Sequence, residues 1–327
     1  SACCGGIVMP RIAFGVDAGG TFTKIAAVAV SGRVLRLEEL PTDPACGPAA
    51  FVDRVTQRLA GWTRQGLRAE AFGLGLAGDV DHGRGTLRVT PNLRGWDGHP
   101  FRADFRKRLR LPVIVENDAN AAVWGAYATE LKRGPAHVIG VTLGTGVGGG
   151  IIIGGRLHRG ASGTAGEIGH TRVAVPGELC HCGSRGCLEA YAGNYGIVRT
   201  ARKLLRARPG RGRILRRLCQ EPAALSPKIL KLAADQGDAL AREVWQRTGN
   251  MLGLGLADVV MVLNPEVLML LGGVSQAGTW LLDPIRRVFQ SHPFGTSLRR
   301  VALRRAGNHN GGCVGAALLA LEDAACR

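Results

Sequence analysis

The chain has 327 residues, a formal net charge of +17 at pH 7, 46% hydrophobic residues and 20% charged residues. This composition excludes a disordered chain, and a chain of this length buries enough surface to form a core without disulfides or metal. The length predicts about two domains. Glycine is frequent, with 49 residues, but it follows no collagen-like period, so we expect the glycines to lie in specialised loops.

The excess of basic residues raises the question of an anionic partner. The stretch 199–217 carries nine basic residues and no acidic residue. It also lacks aromatic residues on which nucleic-acid bases could stack. We therefore interpret the charge as a solvated basic surface that attracts anionic substrates such as nucleotides, and we expect no specific nucleic-acid partner.

The 9 cysteines do not suggest a disulfide framework, because their number is odd and the chain is large. We expect a reducing environment, and hence a cytoplasmic protein. The best candidate for a membrane span, Met251 to Val274, is interrupted by polar residues and predicts no span. We expect no signal peptide, because the N-terminus has no basic region followed by a long apolar run. The residues before Met9 look like an extension, and Met9 could be a natural start.

A repeated pattern of strand, glycine loop, strand, turn and strand opens each half of the chain. The first copy begins at Arg11 and the second at His137, with Gly15 matching Gly140 at an offset of 125 residues. The later strands of the two copies are predicted at Phe22–Val30, Arg33–Leu37, Gly150–Ile153 and Arg156–His158. The shared order predicts two related domains that face each other.

The rest of the sequence predicts alternating strands and helices, which indicate an α/β fold with both faces of the sheets covered. The predicted strands are Ala71–Leu76, Leu111–Val115 and Val267–Leu271. The predicted helices are Pro48–Arg64, Phe101–Leu109, Ala119–Leu131, Tyr195–Cys219, Ser226–Asp235, Asp238–Leu263 and Gly311–Asp323.

The second glycine loop, Gly144 to Gly149, matches the dinucleotide pattern G-x-G-x-x-G. That pattern has to open a helix whose N-terminus holds a pyrophosphate. Here the loop runs into the β-branched stretch Ile151–Ile153, so we predict a β-hairpin and reject a dehydrogenase motif. Backbone N–H groups of such a hairpin can bind phosphate oxygens; the alternative is a tight turn without a ligand.

The first glycine loop, Asp17 to Thr21, adds a carboxylate at the end of a strand. A carboxylate repels phosphate unless a cation such as Mg²⁺ lies between them; the alternative is that Asp17 forms an Asx-turn. Thr21 and Thr145 add hydroxyl donors. Two such loops, one in each repeat, favour a phosphate clamp.

The sequence Glu116 to Asn120, which reads ENDAN, follows a predicted strand. Ligands of open α/β sheets bind beyond the carboxyl ends of strands. Asp118 could therefore be a general base for a substrate hydroxyl, with Asn117 orienting that substrate. The alternative is that Asp118 caps the helix that follows.

Two further motifs lie close together in the second half of the chain. Glu167 and His170 stand between glycines, where they could face a polyol or line a solvated turn. A C-x-C-x₄-C cluster follows, consisting of Cys180, Cys182 and Cys187. With one histidine it provides the four ligands of a tetrahedral Zn²⁺ site, for which His170 and His181 compete. A closed site with four protein ligands would be structural.

Taken together, these motifs resemble those of the bacterial ROK family of repressors, open reading frames and sugar kinases, and most of all its glucokinases. The resemblance covers nearly all of the chain from about Arg11. The motifs that carry it are Asp17–Thr21 with Lys24, Glu116–Asn120, Leu143–Gly150, Gly166–His170 and Cys180–Glu189.

The resemblance implies an actin/hexokinase-like (ribonuclease H-like), duplicated two-domain α/β fold with a central cleft. We expect a small domain at 10–122 and a large domain at 123–310, with the helix 311–323 packing back on the first. The implied reaction transfers the γ-phosphoryl group of ATP to a hexose, most commonly to the C6 hydroxyl of glucose. The implied assembly is a homodimer or homotetramer.

The family pattern also assigns roles to individual residues. Asp118 matches the general base, and the sugar contacts match Asn117, Glu167, His170 and Glu189. The phosphate loops match Asp17, Gly19, Gly20, Thr21, Lys24, Gly144, Thr145 and Gly146, and the adenosine side matches Gly272 and Gly273. The structural zinc site matches His170, Cys180, Cys182 and Cys187. Two departures are Ala77, where the family often has proline, and the unusual stretch Asn308–Gly312.

Other readings remain open within and outside the kinases. The sugar could be N-acetylmannosamine, N-acetylglucosamine, mannose, fructose or allose, and the donor could be polyphosphate. A sugar-responsive regulator is a non-enzymatic alternative, but the 16 residues before Asp17 are too few for a helix-turn-helix module.

Overall fold

The computed structural model describes residues 11–90, 92–221, 224–307 and 310–326. The interpretations given above for the residues up to Met9 and for Asn308 and His309 lie outside the described residues. The chain divides into two compact units. The first comprises Ser1–Arg133, Arg159–Thr164 and Asn310–Arg327, and the second comprises Gly134–His158 and Ala165–His309.

The strands and helices follow one another along both units. The strands are β1 Ile12–Ala18, β2 Phe22–Ala29, β3 Val34–Pro41, β4 Ala71–Leu76, β5 Asp79–Asp81, β6 Thr86–Val89, β7 Val113–Asn117, β8 Val138–Leu143, β9 Val147–Ile153, β10 Arg156–His158, β11 Val267–Leu271 and β12 Ala302–Arg305. The helices are α1 Gly47–Arg64, α2 Phe101–Leu109, α3 Asp118–Thr129, α4 Glu189–Ala192, α5 Asn194–Ala207, α6 Arg213–Leu218, α7 Pro227–Asp235, α8 Ala239–Leu263, α9 Thr279–Ser291, α10 Thr296–Arg300 and α11 Gly311–Ala325. Short 3₁₀ turns lie at Pro44–Cys46, Ile168–His170 and Gly273–Ala277.

Each unit contains a five-stranded sheet of the same design. The strand order is β3-β2-β1-β4-β7 in the first unit and β10-β9-β8-β11-β12 in the second. In both sheets three antiparallel strands come first and two further strands then add in parallel. The predicted repeat of strand, loop, strand, turn and strand is therefore confirmed in both halves of the chain.

Helix α11, at the end of the chain, packs on the sheet of the first unit against β1, β4 and α3. Glycines on the strands allow this close approach. A Cβ atom on Gly15 would lie 1.9 Å from the backbone oxygen of Cys313, and one on Gly73 would lie 1.9 Å from that of Ala316. The helix is buried along its first eleven residues, which explains its alanine- and leucine-rich sequence.

Aromatic residues fill the other side of the first unit. Phe51 on α1 lies 4.8 Å from Trp96 and 6.3 Å from Phe105 between ring centroids, and Phe105 lies 4.5 Å from Phe72 of β4. The core of the second unit is mostly aliphatic, with Trp245 and Phe289 among its buried residues, and is built around the long helix α8, which packs against α9. Among the helices that the structure describes, none has the length and apolar character of a membrane span.

One predicted helix is wrong. The stretch Tyr195–Cys219 forms two helices, α5 and α6, separated by a break at residues 208–212. Gly212 adopts a left-handed conformation with φ of +75°, and Pro209 cannot donate the backbone hydrogen bond that a continuous helix needs.

Strand β7 also ends two residues later than predicted, so that Glu116 and Asn117 belong to the strand.

The contact between α11 and the sheet leads to a first prediction. Gly73→Ala should lower the free energy of unfolding by about 1–3 kcal/mol or more, because the added methyl group would overlap the backbone of Ala316. Gly210→Ala is the matched control, since nothing lies within 4 Å of the position that its Cβ would take. Equal denaturant midpoints for the two variants would contradict the close packing.

Candidate functional site

Parallel strands bring the first glycine loop and the Asn–Asp motif to the same edge of the first sheet. Asp17 on β1 pairs with Gly75 on β4, and Gly75 pairs with Glu116 on β7. A Cβ atom on Gly75 would lie 3.6 Å from the Cα atom of Asp118. Asp17 and Asp118 therefore flank a position without a side chain, at the carboxyl ends of the strands, where α/β proteins bind ligands.

Asp17 is a half-buried carboxylate beneath the first turn of α11. A Cβ atom on Gly312 would lie 2.2 Å from Oδ2 of Asp17, so only glycine fits there. Burial raises the pKa of Asp17 to about 6, although the charge of Lys24 acts in the opposite direction. Lys24 is the antiparallel partner of Asp17, and its Nζ donates to Oδ1 of Asn310 at 3.3 Å. Ionisation of Asp17 therefore lowers the free energy of unfolding.

The loop between β1 and β2 is fixed by its own hydrogen bonds. The N–H of Gly19 donates to the carbonyl oxygen of Phe22 at 3.1 Å, and the hydroxyl of Thr42 donates to the carbonyl oxygen of Gly19 at 2.7 Å. Gly20 packs against Asn92, where a Cβ atom would lie 3.1 Å from the Cβ of Asn92. Thr21 is exposed at the tip of the loop. These contacts hold Gly19 and Gly20 in place and leave the tip of the loop exposed.

Asn117 and Asp118 lie at the start of α3. The side chain of Asn117 caps the helix, since its Oδ1 accepts the N–H of Asn120 at 3.0 Å. Its Nδ2 donates to the carbonyl oxygen of Gly78 at 3.0 Å. Asp118 is the first helical residue, and its Oδ1 accepts the N–H of Ala119 at 2.8 Å. The alternative that Asp118 caps this helix is therefore wrong, because Asn117 does so.

The glycine loop of the second unit is a hairpin, as predicted. Strands β8 and β9 pair up to Leu143 and Val147, and the N–H of Gly144 donates to the carbonyl oxygen of Gly146 at 3.0 Å across the turn. Thr145 lies at the exposed tip. The β-branched residues that follow favour a strand, which explains why this glycine pattern does not open a helix.

Glu189 and Gly272 lie beside this hairpin. Oε2 of Glu189 accepts the N–H of Val147 at 3.0 Å, and a Cβ atom on Gly146 would lie 2.3 Å from the same oxygen. Gly272 follows β11, the parallel neighbour of β8, and has a φ of +85°. A Cβ atom on Gly272 would lie 2.4 Å from the carbonyl oxygen of Leu143. Gly273 begins the 3₁₀ turn that follows.

Four side chains of the second unit form a group that could hold a metal ion. The ligand atoms of His170, Cys180, Cys182 and Cys187 all lie within 4.8 Å of one another. The other candidate for the fourth position, His181, instead stacks on the ring of Tyr195 with centroids 3.7 Å apart. Burial raises the pKa of Cys180 to about 12, so this thiol stays protonated near neutral pH unless a metal ion displaces the proton.

Glu167 lies at the start of the 3₁₀ turn that also carries His170. Its Oε2 is 3.9 Å from Nε2 of His170. The turn packs on β9 through Gly169, where a Cβ atom would lie 2.0 Å from the carbonyl oxygen of Val147. Glu167, His170 and Glu189 are therefore all held against the strand that follows the glycine loop.

The structure thus sorts the residues singled out from the sequence into two sets. The set in the first unit is Asp17, Gly19, Gly20, Thr21, Lys24, Asn117 and Asp118. The set in the second unit is Gly144, Thr145, Gly146, Glu167, His170, Cys180, Cys182, Cys187, Glu189, Gly272 and Gly273.

Sequence reasoning missed Tyr195, which contacts the second set, and Arg159, which contacts Glu116 in the motif that carries Asn117 and Asp118. The hydroxyl oxygen of Tyr195 lies 3.3 Å from Oε1 of Glu189 and 3.5 Å from the sulfur of Cys180, and its one proton can be donated to either. Arg159 donates to the buried carboxylate of Glu116 at 2.7 Å. Tyr195 lies close to the cysteine motif in the sequence and could have been considered there. Arg159 is 43 residues from its partner, and no local pattern marks it.

The duplicated sheets, with a glycine hairpin in each unit and an acidic strand end, define an α/β protein of the actin/hexokinase-like fold. The sequence pattern of the ROK family matches residues 13–323, and the chain belongs to this family. The predicted family and fold class are therefore confirmed.

The relatives of the chain include several kinases. It is 39% identical over 315 residues to a glucokinase of Streptomyces coelicolor, covering 95% of this chain and 98% of the relative. It is 30% identical over 307 residues to an N-acetylmannosamine kinase of Escherichia coli, covering 93% of this chain and 97% of the relative.

The solved structures include a close neighbour. A ROK family glucokinase from Streptomyces griseus, in complex with glucose and AMPPNP, has a TM-score of 0.83 and 39% identity. The similarity covers 95% of this chain and 99% of that chain.

The raised pKa of Asp17 predicts a response of stability to pH. Because the pKa of about 6 in the folded state exceeds the ordinary 3.8, the folded chain binds more protons than the unfolded chain between these values. The free energy of unfolding therefore falls as pH rises through this window. Asp17→Asn should be more stable than the wild type by about 1–2 kcal/mol at pH 7, and equally stable below about pH 4.

Chemical denaturation of the ligand-free protein across this pH range measures the effect. Asp283→Asn is the control, since the side chain of Asp283 is 50% exposed. A stability difference for Asp17→Asn that stays constant from pH 4 to pH 7 would exclude burial of the charge as its cause.

Proposed function

We propose that the chain is an ATP-dependent glucokinase, which transfers the γ-phosphoryl group of ATP to the C6 hydroxyl of glucose. The observation that carries the proposal is the position of Asp118 at the strand edge beside the first glycine loop, in a chain of the ROK family. The glucokinase relative at 39% identity and the solved glucokinase with glucose and AMPPNP support this substrate pair.

Asp118 is the general base in this proposal. Phosphoryl transfer has a loose transition state, so the enzyme contributes mainly position and charge stabilisation. The carboxylate of Asp118 accepts the proton of the sugar hydroxyl as the new P–O bond forms. The hydrogen bond from the N–H of Ala119 holds one carboxylate oxygen in place. Asn117, whose side chain is fixed from both ends, orients the sugar.

The glycine loops hold the triphosphate. We assign phosphate contacts to Asp17, Gly19, Gly20, Thr21, Lys24, Gly144, Thr145 and Gly146, and the adenosine side to Gly272 and Gly273. Asp17 fits a site for Mg²⁺, because it is a half-buried carboxylate whose charge is only partly offset by Lys24. Mg²⁺ supplies the positive charge that lets a carboxylate and a triphosphate lie close together. Lys24, on β2 opposite Asp17, adds a cation beside this loop.

The sugar contacts in the second unit are Glu167, His170 and Glu189. The N-acetylmannosamine kinase relative is the observation that favours a second candidate, a kinase for another hexose. A coupled assay of glucose, mannose, fructose, allose and the N-acetylhexosamines, each with ATP or polyphosphate, decides between these substrates. The cytoplasmic location and the homodimer or homotetramer stay predictions.

We also propose that His170, Cys180, Cys182 and Cys187 hold a structural Zn²⁺ ion. Zinc–sulfur bonds are near 2.3 Å, so two sulfur ligands of a tetrahedral site lie about 3.8 Å apart. The sulfur atoms of Cys182 and Cys187 are 3.8 Å apart, and that of Cys180 is 3.9 Å from Nδ1 of His170. The donor set therefore fits the ion. Four protein ligands leave no open position for substrate.

The role of Asp118 is tested by substitution. Asp118→Asn should reduce kcat by about 10²–10⁴-fold, because the amide cannot accept the proton. Glucose should still bind, as calorimetry would show, since the amide keeps the shape and most hydrogen bonds of the side chain. Asp104→Asn, in the first turn of α2, is the matched control and should leave kcat unchanged. Turnover by Asp118→Asn close to that of the wild type would reject the assignment.

The metal site gives a separate prediction. Cys182→Ser should lose the bound zinc and lower the midpoint of thermal unfolding, because the loop then loses one of its four ligands. Cys219→Ser is the control, since Cys219 lies outside the cluster. Elemental analysis of the purified proteins gives the zinc content. Equal zinc in Cys182→Ser and in the wild type would refute the site.

A further inference from the structure

A buried carboxylate lies two residues before Asp118 and has no part in the function proposed above. The side chain of Glu116, in β7, is only 2% exposed. Its Oε1 accepts the N–H of Asn117 and the Nδ2 of Asn120, each at 3.0 Å. Its Oε2 accepts the Nε of Arg159 at 2.7 Å. Both oxygens of a fully buried carboxylate are therefore engaged.

Arg159 supplies the positive charge that Glu116 needs. It directly follows β10 and belongs, with residues 160–164, to the first unit. His82 also approaches, with its Nδ1 3.5 Å from Oε2 of Glu116 and 3.0 Å from the carbonyl oxygen of Val115. Burial and the charge of Arg159 lower the pKa of His82, so this ring is neutral near pH 7. The partner of the Glu116 charge is then Arg159.

The hydrogen bonds of Glu116 reach both ends of the first turn of α3. Asn120 donates its side-chain N–H to Glu116, while its backbone N–H donates to Oδ1 of Asn117. The N–H of Asn117 donates to Glu116 as well. These three residues form a closed ring of hydrogen bonds, and Asp118 lies within the span of chain that the ring encloses.

The side chain of Arg159 is 28% exposed, so only the Glu116 charge is fully removed from water. Burial of that charge offsets much of the attraction between the partners, so the pair is a poor way to stabilise a fold. An apolar pair of similar size would stabilise the fold at least as much. A charged, hydrogen-bonded pair instead fixes the orientation of the groups that it contacts, because each oxygen accepts only from donors in defined positions. The Glu116–Arg159 pair is thus suited to fixing the orientation of the side chains around it.

We propose that Arg159 and Glu116 are positioning residues, which hold Asn117 and Asp118 in the orientation required for proton abstraction from the sugar. This inference rests on the proposed function, in which Asp118 is the general base. Arg159 sets the direction of the Glu116 carboxylate, and Glu116 sets the first turn of α3. Rate is sensitive to such control, because a misplacement of about 1 Å can cost about 10²-fold.

Substitutions at Arg159 test the proposal through steady-state kinetics. Arg159→Met should lower kcat by about 10- to 100-fold, while KM for glucose and for ATP should change little, because no substrate contact is removed. Arg159→Lys keeps the charge but not the planar guanidinium, and its kcat should lie between those of Arg159→Met and the wild type. Arg208→Met, which breaks the ion pair between Arg208 and Glu243, is the control and should leave kcat unchanged.

The thermal midpoint of each variant shows whether it is folded. A folded Arg159→Met with the kcat of the wild type would overturn the proposal. If Arg159→Met does not fold, the kcat of Arg159→Lys tests the proposal instead. A kcat of Arg159→Lys equal to that of the wild type would overturn the proposal. A rise in KM without a fall in kcat would also overturn the proposal, since Arg159 would then contact a substrate. A wild type without any hexose kinase activity would instead reject the proposed function, which separates the two failures.

Discussion

The parallel pairing of β1, β4 and β7 determines where the chemical groups of the first unit lie. Asp17, Gly75 and Glu116 stand in one row across these strands. Because side chains alternate between the faces of a strand, a shift of one residue in any register would move a carboxylate to the opposite face. Gly75 leaves the middle of the row without a side chain, and helix α3 packs close to it there, with the Cα of Asp118 3.6 Å from the position of a Gly75 Cβ atom.

The close packing of α11 links the stability of the first unit to its chemistry. The helix lies directly on the backbone of Gly15 and Gly73, and its first turn covers Asp17 through Gly312. The same contact that buries the apolar face of the helix also removes water from a carboxylate, which raises the pKa of Asp17. The fold thus accepts a local loss of stability at a residue that the proposed function needs as an anion.

In the second unit, one acidic side chain joins two motifs that are separate in the sequence. Glu189 accepts the N–H of Val147 after the glycine hairpin, and its other oxygen contacts Cys180 of the metal-binding group and the hydroxyl of Tyr195. The loop that carries the cysteines is thereby held against the hairpin. A structural ion in this loop would act on the proposed sugar and phosphate contacts by holding their backbone in place.

The sequence by itself determined the kinds of groups and their local structure, because these depend on neighbours along the chain. The β-branched run after Gly149 specified a hairpin, and the C-x-C-x₄-C spacing specified a compact group of thiols. The prediction of one helix over Tyr195–Cys219 overlooked a local break signal, since Pro209 and Gly212 end it there. The cysteine spacing left His170 and His181 as alternatives, and the tertiary structure places His170 with the three thiols, as the family resemblance implied. Only the tertiary structure brought Arg159 to Glu116 and α11 over Asp17. Such contacts join segments far apart in the sequence, and burial and charge pairing arise only when those segments pack together.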